Sequence, residues 1–244
     1  MDKKKADLLA KLALLIVAIL WGSSLTVVKQ SSKTFNPNFI LAIRFTLAAI
    51  LLSIIFWKRL RQAKYDDIKN GLLIGIFFIS LSGSSSHVDN PLAWLGDLLA
   101  LLSGLLFASH IIAVSALARD RDPIVMTILQ FIMAAVLSWI TTIVVEDNSN
   151  LVVTSRSVME LLYLAVMCTA IALLLQNIGQ KYTNPSTAAI ILGFESIFGI
   201  LIPVLIGIES LTVFSVIGFV FIFAAILVSE TKLSFLKKNT ITAQ

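Results

Sequence analysis

The segment STAAIILGFESIFGILIPVLIGI, from Ser186 to Ile208, runs 23 residues with one ionisable side chain, Glu195. As a helix it extends about 34 Å at 1.5 Å per residue, enough to cross a bilayer core of ~30 Å. Lipid offers a backbone no hydrogen-bond partner, so such a segment crosses as a helix that satisfies itself. The pattern recurs along the chain. Only 14% of the 244 residues are charged, against about 25% in a soluble domain. The charges bunch at the N-terminus, at 58–69, at 119–122 and at the C-terminus. These features predict an all-α polytopic membrane protein. Eight crossings are read, near 10–29, 39–57, 68–83, 97–118, 123–145, 158–179, 187–207 and 211–229. The basic, apolar front is read as a retained first helix, because apolar character continues past Trp21 and no A-x-A cleavage site follows.

Loop charge orients the crossings. With the N-terminus inside, cytoplasmic segments carry Lys3, Lys4, Lys5, the stretch KRLRQAKYDDIK, Arg119, Arg121, Lys181, Lys232, Lys237 and Lys238; outside loops carry only Lys29, Lys33 and Arg156. This positive-inside bias holds in the second half only if the short third segment crosses. Its uninterrupted part, GLLIGIFFISLSG, has 13 residues, so it spans by thinning the bilayer or by recruiting Ile68 and its neighbours. Both termini are then cytoplasmic. The net charge of +5 reads as topology rather than as a nucleic-acid footprint.

Shifting the chain by 86 residues overlays the first two crossings on the fourth and fifth. Trp21 falls on Phe107, Ser23 on Ser109, Asn36-Pro37 on Asp122-Pro123, Arg44 on Gln130, and Phe45 with Ala48-Ala49 on Phe131 with Ala134-Ala135. The second copy continues for three more crossings, the first for one. Pro123 to Glu230 covers 107 positions and Pro37 to Gly83 covers 46, a shortfall of 61, about two helices with their loops. The third crossing therefore reads as a composite, the head of one helix joined to the tail of another after Phe78. Losing two crossings leaves later helices in their original orientation.

The stretches WGSS, RFTLAAILL, GDLLALLSGLLFASHIIAVSALAR and NPSTAAIILGFESIFGILIPVLIGIESLT resemble the EamA-type branch of the drug/metabolite transporter superfamily. The resemblance implies two five-helix repeats of inverted topology and secondary transport of small metabolites or drugs. In this chain the repeats are unequal, three helices and five. The expected divisions are a shortened first repeat at 1–83, an extracytoplasmic loop at 84–96, a second repeat at 97–231 and a basic tail at 232–244. In the family pattern an acid precedes proline in the ninth helix. Glu195 matches the acid, and Ser196 stands at the proline position.

The substrate-pathway candidates are Glu195, Arg44, Gln130, His110, Ser109, Trp21, Ser23 and Gln176. Glu195 reads either as a polar anchor or proton acceptor in a midplane cavity or as a carboxylate bonded to a neighbouring helix. Arg44, about six residues from the outer end of its span, either snorkels or meets Glu195 or an anionic solute group. The depth difference is on the order of 6–9 Å. Ser103, Phe107 and His110 share a helix face. Gln176, Asn177 and Tyr182 read as gate or headgroup contacts. Gly193, Ser196, Gly199 and Pro203 are read as packing or kink positions.

One cysteine, Cys168, and two separated histidines provide no disulfide, zinc or other metal pattern. No enzyme motif or paired intramembrane acids occur, and no cofactor is implied. The expected partners are the lipid bilayer and a small-molecule solute, with no nucleic acid, in a bacterial plasma membrane. A homodimer would supply the wall missing from the shorter repeat. The rival reading is an internally deleted, non-transporting relative acting as a structural or regulatory subunit.

Overall fold

The computed structural model describes residues 3–79, 93–118, 120–148, 153–213, 216–221 and 223–224. The described residues are helical and joined by turns. The helices are α1 (Lys3–Ser31), α2 (Pro37–Ile55), the single turn α3 (Trp57–Leu60), α4 (Tyr65–Ile79), α5 (Ala93–Leu117) and α6 (Pro123–Val145). A long helix follows in three parts, α7 (Ser155–Ala165), a π-helical segment (Val166–Ile171) and α8 (Ala172–Tyr182), and then α9 (Pro185–Gly193) and α10 (Glu195–Leu205). Helical residues recur at Val213 and at 216–221, within the last expected crossing. Five described helices are long and apolar enough to span a membrane: Lys4–Ser31, Pro37–Ile55, Pro123–Val145, Ser155–Tyr182 and Pro185–Leu205. This is an all-α integral membrane protein.

Local chemistry sets the helix starts. Proline opens α2, α6 and α9, where its missing N–H and fixed φ cost nothing. Asp122 caps α6 by accepting from Ile124 N at 2.9 Å. Thr154 and Ser157 form a reciprocal capping box on α7. At α2 the cap comes from across the bundle. The Glu146 carboxylate accepts from Asn38 N at 2.7 Å and Phe39 N at 2.9 Å, satisfying first-turn donors with a favourable charge.

Contacts fix the sense of each helix. Asn36 meets Asp147, Phe45 meets Phe131, and Arg59 meets Asp122, so α2 and α6 are antiparallel. Ser31 meets Glu160 and Trp21 meets Cys168, so α1 opposes α7–α8. Lys29 meets Glu209 while Gly22 lies against Phe198, so α1 and α10 run together. Asn70 meets Leu117 and Asp67 meets Arg121, so α4 and α5 are antiparallel. The sense alternates from each crossing to the next, with α7–α8 counted as one crossing and α9–α10 as another.

The short third segment is seated by glycine. A Cβ on Gly71 would lie 2.5 Å from Leu129 Cβ, and one on Gly75 would lie 2.7 Å from Met133 Cβ. This G-x-x-x-G spacing lets α4 lie directly on α6, running parallel to it. The helix accounts for about 22 Å of depth. The join expected after Phe78 meets the end of α4, and residues 80–92 lie outside the described residues, as do the tail at 232–244 and Arg119.

Three local features refine the expected crossings. α5 begins at Ala93, two residues past Pro91. The sixth crossing carries a π segment. The seventh is interrupted at Phe194, whose N–H bonds to Ile191 O at 3.2 Å in a tightened turn after Gly193. Pro203, read as a packing or kink position, lies inside α10 and is buried. Its own carbonyl receives Ile208 N at 2.8 Å and Glu209 N at 3.1 Å, closing the helix end.

Candidate functional site

The candidate residues gather into two polar clusters separated by aromatic rings. The first surrounds the π segment. A π turn adds one residue to the helix and disturbs the i→i−4 bonding. Here Cys168 O accepts from Trp21 Nε1 at 3.0 Å. Thr169 Oγ1 donates to Leu164 O, five residues back, at 2.8 Å, and accepts from Arg44 Nε at 3.0 Å. Ser23 Oγ and Tyr163 Oη are 2.6 Å apart. Arg44 is therefore half-buried and directed at the π segment rather than extended toward the interface.

Glu195 approaches from α10. The break at Phe194 places it in the first turn of that helix, where the backbone N–H groups favour an anion. It is close enough to Arg44 for the two charges to interact, but no direct ion pair joins them. A carboxylate in the middle of an apolar crossing is thus offset by a helix N-terminus and a nearby guanidinium. The α10 helix reaches this position through Gly22: a Cβ there would lie 2.5 Å from Phe198 Cβ and 2.8 Å from Gly199 N. Gly199 also lies against α1, where a Cβ would come within 2.5 Å of Leu25 Cδ1. Gly193 has open space where a Cβ would be, and Ser196 is exposed, so neither packs a helix.

The second cluster lies between α5, α6 and α8. His110 Nε2 and Gln130 Oε1 are 3.4 Å apart, and both residues are fully buried. Asn177 Nδ2 donates to Thr127 Oγ1 at 2.6 Å, and Thr127 Oγ1 donates to Pro123 O at 2.7 Å. Gln176, fully buried, cannot make the headgroup contact considered for it, whereas Tyr182 is exposed. Ser109 joins neither cluster, because its hydroxyl donates to Leu105 O on its own helix.

Trp21 and Phe107 meet edge to face with centroids 5.8 Å apart, and Phe45 stacks with Phe131 at 6.1 Å. Phe45 follows Arg44 toward the end of the bundle that holds Arg59, Arg121 and Lys181. Phe131 follows Gln130 away from that end. The rings therefore lie between the levels of the two clusters.

The EamA-like transporter family profile matches residues 8–85 and 94–231. The chain belongs to that family.

An uncharacterized transporter of Archaeoglobus fulgidus is 27% identical over 278 positions, covering 91% of this chain and 86% of the relative. An uncharacterized transporter of Haemophilus influenzae is 24% identical over 139 positions, covering 57% of this chain and 82% of the relative. A solved structure titled "Crystal structure of protein" superposes with a TM-score of 0.65 at 16% identity, covering 92% of this chain and 96% of the other; that likeness concerns the fold. Family and relatives together mark the EamA-like chain as a membrane transporter of the drug/metabolite type. Its bilayer and a small solute are the partners this implies.

Sequence reasoning missed Tyr163, Thr169 and Thr127, neutral polar residues in apolar runs. Their signal was partnership across helices, which a single sequence does not display. Cys168, read as packing, is indeed buried, and its backbone carbonyl is the group that matters.

Proposed function

We propose that this EamA-like chain is a secondary carrier of small metabolites or drugs whose solute path runs along the seam between α1, α2, the π segment and α10. The observation that carries the reading is the relation of Arg44 to Glu195. They are opposite charges on separate helices, deep in their spans, near enough to interact yet without a direct ion pair. An intramembrane charge is expensive and is retained for a pathway or a relay. A polar solute group could enter between them while the two repeats rock about the ring pairs. Trp21, Ser23 and Tyr163 would line the same seam, and His110, Gln130 and Gln176 would continue it toward the basic end.

The domain divisions at 1–83, 84–96, 97–231 and 232–244 belong to this proposal, as do cytoplasmic termini in a bacterial plasma membrane. The gathering of Lys58, Arg59, Arg121 and Lys181 at one end supports that orientation.

The rival, a non-transporting structural or regulatory subunit, draws on one finding. The 278-position alignment uses 91% of a 244-residue chain, about 222 residues, so about 56 positions of the relative have no counterpart here. That number is close to the shortfall in the first repeat and amounts to about two helices. A homodimer would complete the wall for a carrier.

Reconstituted vesicles screened with a panel of amino acids and drugs distinguish the readings. The carrier gives solute flux that falls about tenfold or more in Glu195→Gln, the loss of an interaction with a charged group. Folded protein without flux for any member of the panel favours the subunit. Flux unchanged in a folded Glu195→Gln variant removes the role given to that carboxylate.

A further inference from the structure

A small cavity of about 10 Å³ lies near the basic end, lined by Val114, Ser115 and Ala118 of α5 and by Asn177, Gln180 and Lys181 of α8. That volume is about one water molecule. The amide side chains around it are buried and incompletely bonded. Gln180 is 6% exposed, and neither of its amide atoms has a hydrogen-bond partner among the described residues. Asn177, 2% exposed, uses Nδ2 on Thr127 but leaves Oδ1 without a partner. One turn deeper on α8, about 6 Å, both amide atoms of Gln176 are in the same condition. Across the seam, one turn along α6 from Thr127, so is Gln130 Nε2.

Each such group left dry costs about 1–3 kcal/mol. The molecule that satisfies them must donate and accept, because N–H and C=O of the same amides are both open. A metal cation would take the oxygens and leave the Gln Nε2 groups unanswered, and among the described residues no cluster of acids, histidines and cysteine is built for one. An organic solute exceeds the cavity. Water fits both the volume and the chemistry.

We infer that the α5–α6–α8 seam is a hydrated track. Its first water sits between Gln180, Asn177 and Ser115, and it continues past Gln176 to Gln130 beside His110. It stops at the ring pairs. Its cover at the basic end is the contact from Lys181 Nζ to Arg121 O, 3.1 Å, on a loop that Arg121 ties to Asp67. The track rests on geometry and would exist in a non-transporting subunit as well as in a carrier.

Water-edited solid-state NMR on protein with ¹⁵N-labelled glutamine side chains, in lipid bilayers, tests it. Gln180→Met and Gln176→Met assign the signals by their loss; where a Met variant does not fold, the corresponding Asn variant serves. The expected result is magnetisation transfer from water to the Gln176 and Gln180 amides at the rate seen for exposed Gln62. Transfer as slow as in the apolar core overturns the track. So does a shift of these amide signals when sodium replaces choline in the buffer, which would assign the oxygens to a cation.

Discussion

Phe45 and Phe131 are the same position in two copies of one pattern, 86 residues apart, and their rings stack on each other. Trp21 and Phe107 stand in the same relation and also touch. Two residues related by a two-fold operation meet only near its axis. The ring pairs thus place the pseudo-axis between α1, α2, α5 and α6, with Arg44 on one side and its counterpart Gln130 on the other. One seat carries a charge and the other an amide, so the two halves present different chemistry to whatever lies between them.

Arg44→Lys separates charge from geometry at this seat. Lysine keeps the positive charge but lacks the planar nitrogen that donates to Thr169. If the fixed guanidinium matters, solute affinity in the vesicle assay falls about tenfold or more, as for a lost charge-assisted bond. Affinity equal to the parent would show that charge alone suffices.

Gly22→Leu tests the α1–α10 crossing. Even a Cβ at this position would meet Phe198 and the Gly199 backbone, so overpacking costs about 1–3 kcal/mol. Denaturation in mixed micelles should register that loss. Gly193→Leu, where the space is open, should leave stability near the parent value.

Asp67 lies outside the membrane-spanning segments and has its carboxyl held below the usual range, first by the backbone N–H of Lys64 and then by Arg121. A depressed carboxylate contributes stability above its unfolded value of about 3.9 and loses it as pH falls through the folded value. Asp67→Asn should therefore lower the melting temperature at pH 7 by no more than about 2–4 °C. The difference from the parent should disappear in acid below the folded value. A constant difference across that range would assign the effect to something other than this charge.

The sense of α4 predicts sidedness. A single cysteine between Ser84 and Asn90, in a Cys168→Ser background, should be labelled by a membrane-impermeant thiol reagent from the side opposite Arg121. Labelling from the same side would require α4 to turn back, and the alternation of the later helices would need another origin.

The helices were legible because a bilayer imposes length and apolarity on every crossing. The 86-residue offset was legible because Asn36-Pro37 and Asp122-Pro123 punctuate both copies. The Gly71–Gly75 spacing stood in the sequence, but only the facing Leu129 and Met133 give it a purpose. The π segment was hidden, since VMCTAI carries no proline or glycine and its widening answers contacts from Trp21 and Arg44 on other helices. For the same reason Arg44 left two readings open, reaching for the interface or meeting Glu195 or an anionic solute group. Its partner is a threonine 125 positions away.

The π segment also sets the phase between the clusters. It holds one residue more than a regular helix would use, and each residue turns a helix by about 100°. Were the same residues to wind as a regular α-helix, the whole of α8 would therefore swing by about that angle, carrying Asn177 off Thr127 while Tyr163 stayed with Ser23. The two halves of the polar interior are kept in register by one surplus amino acid.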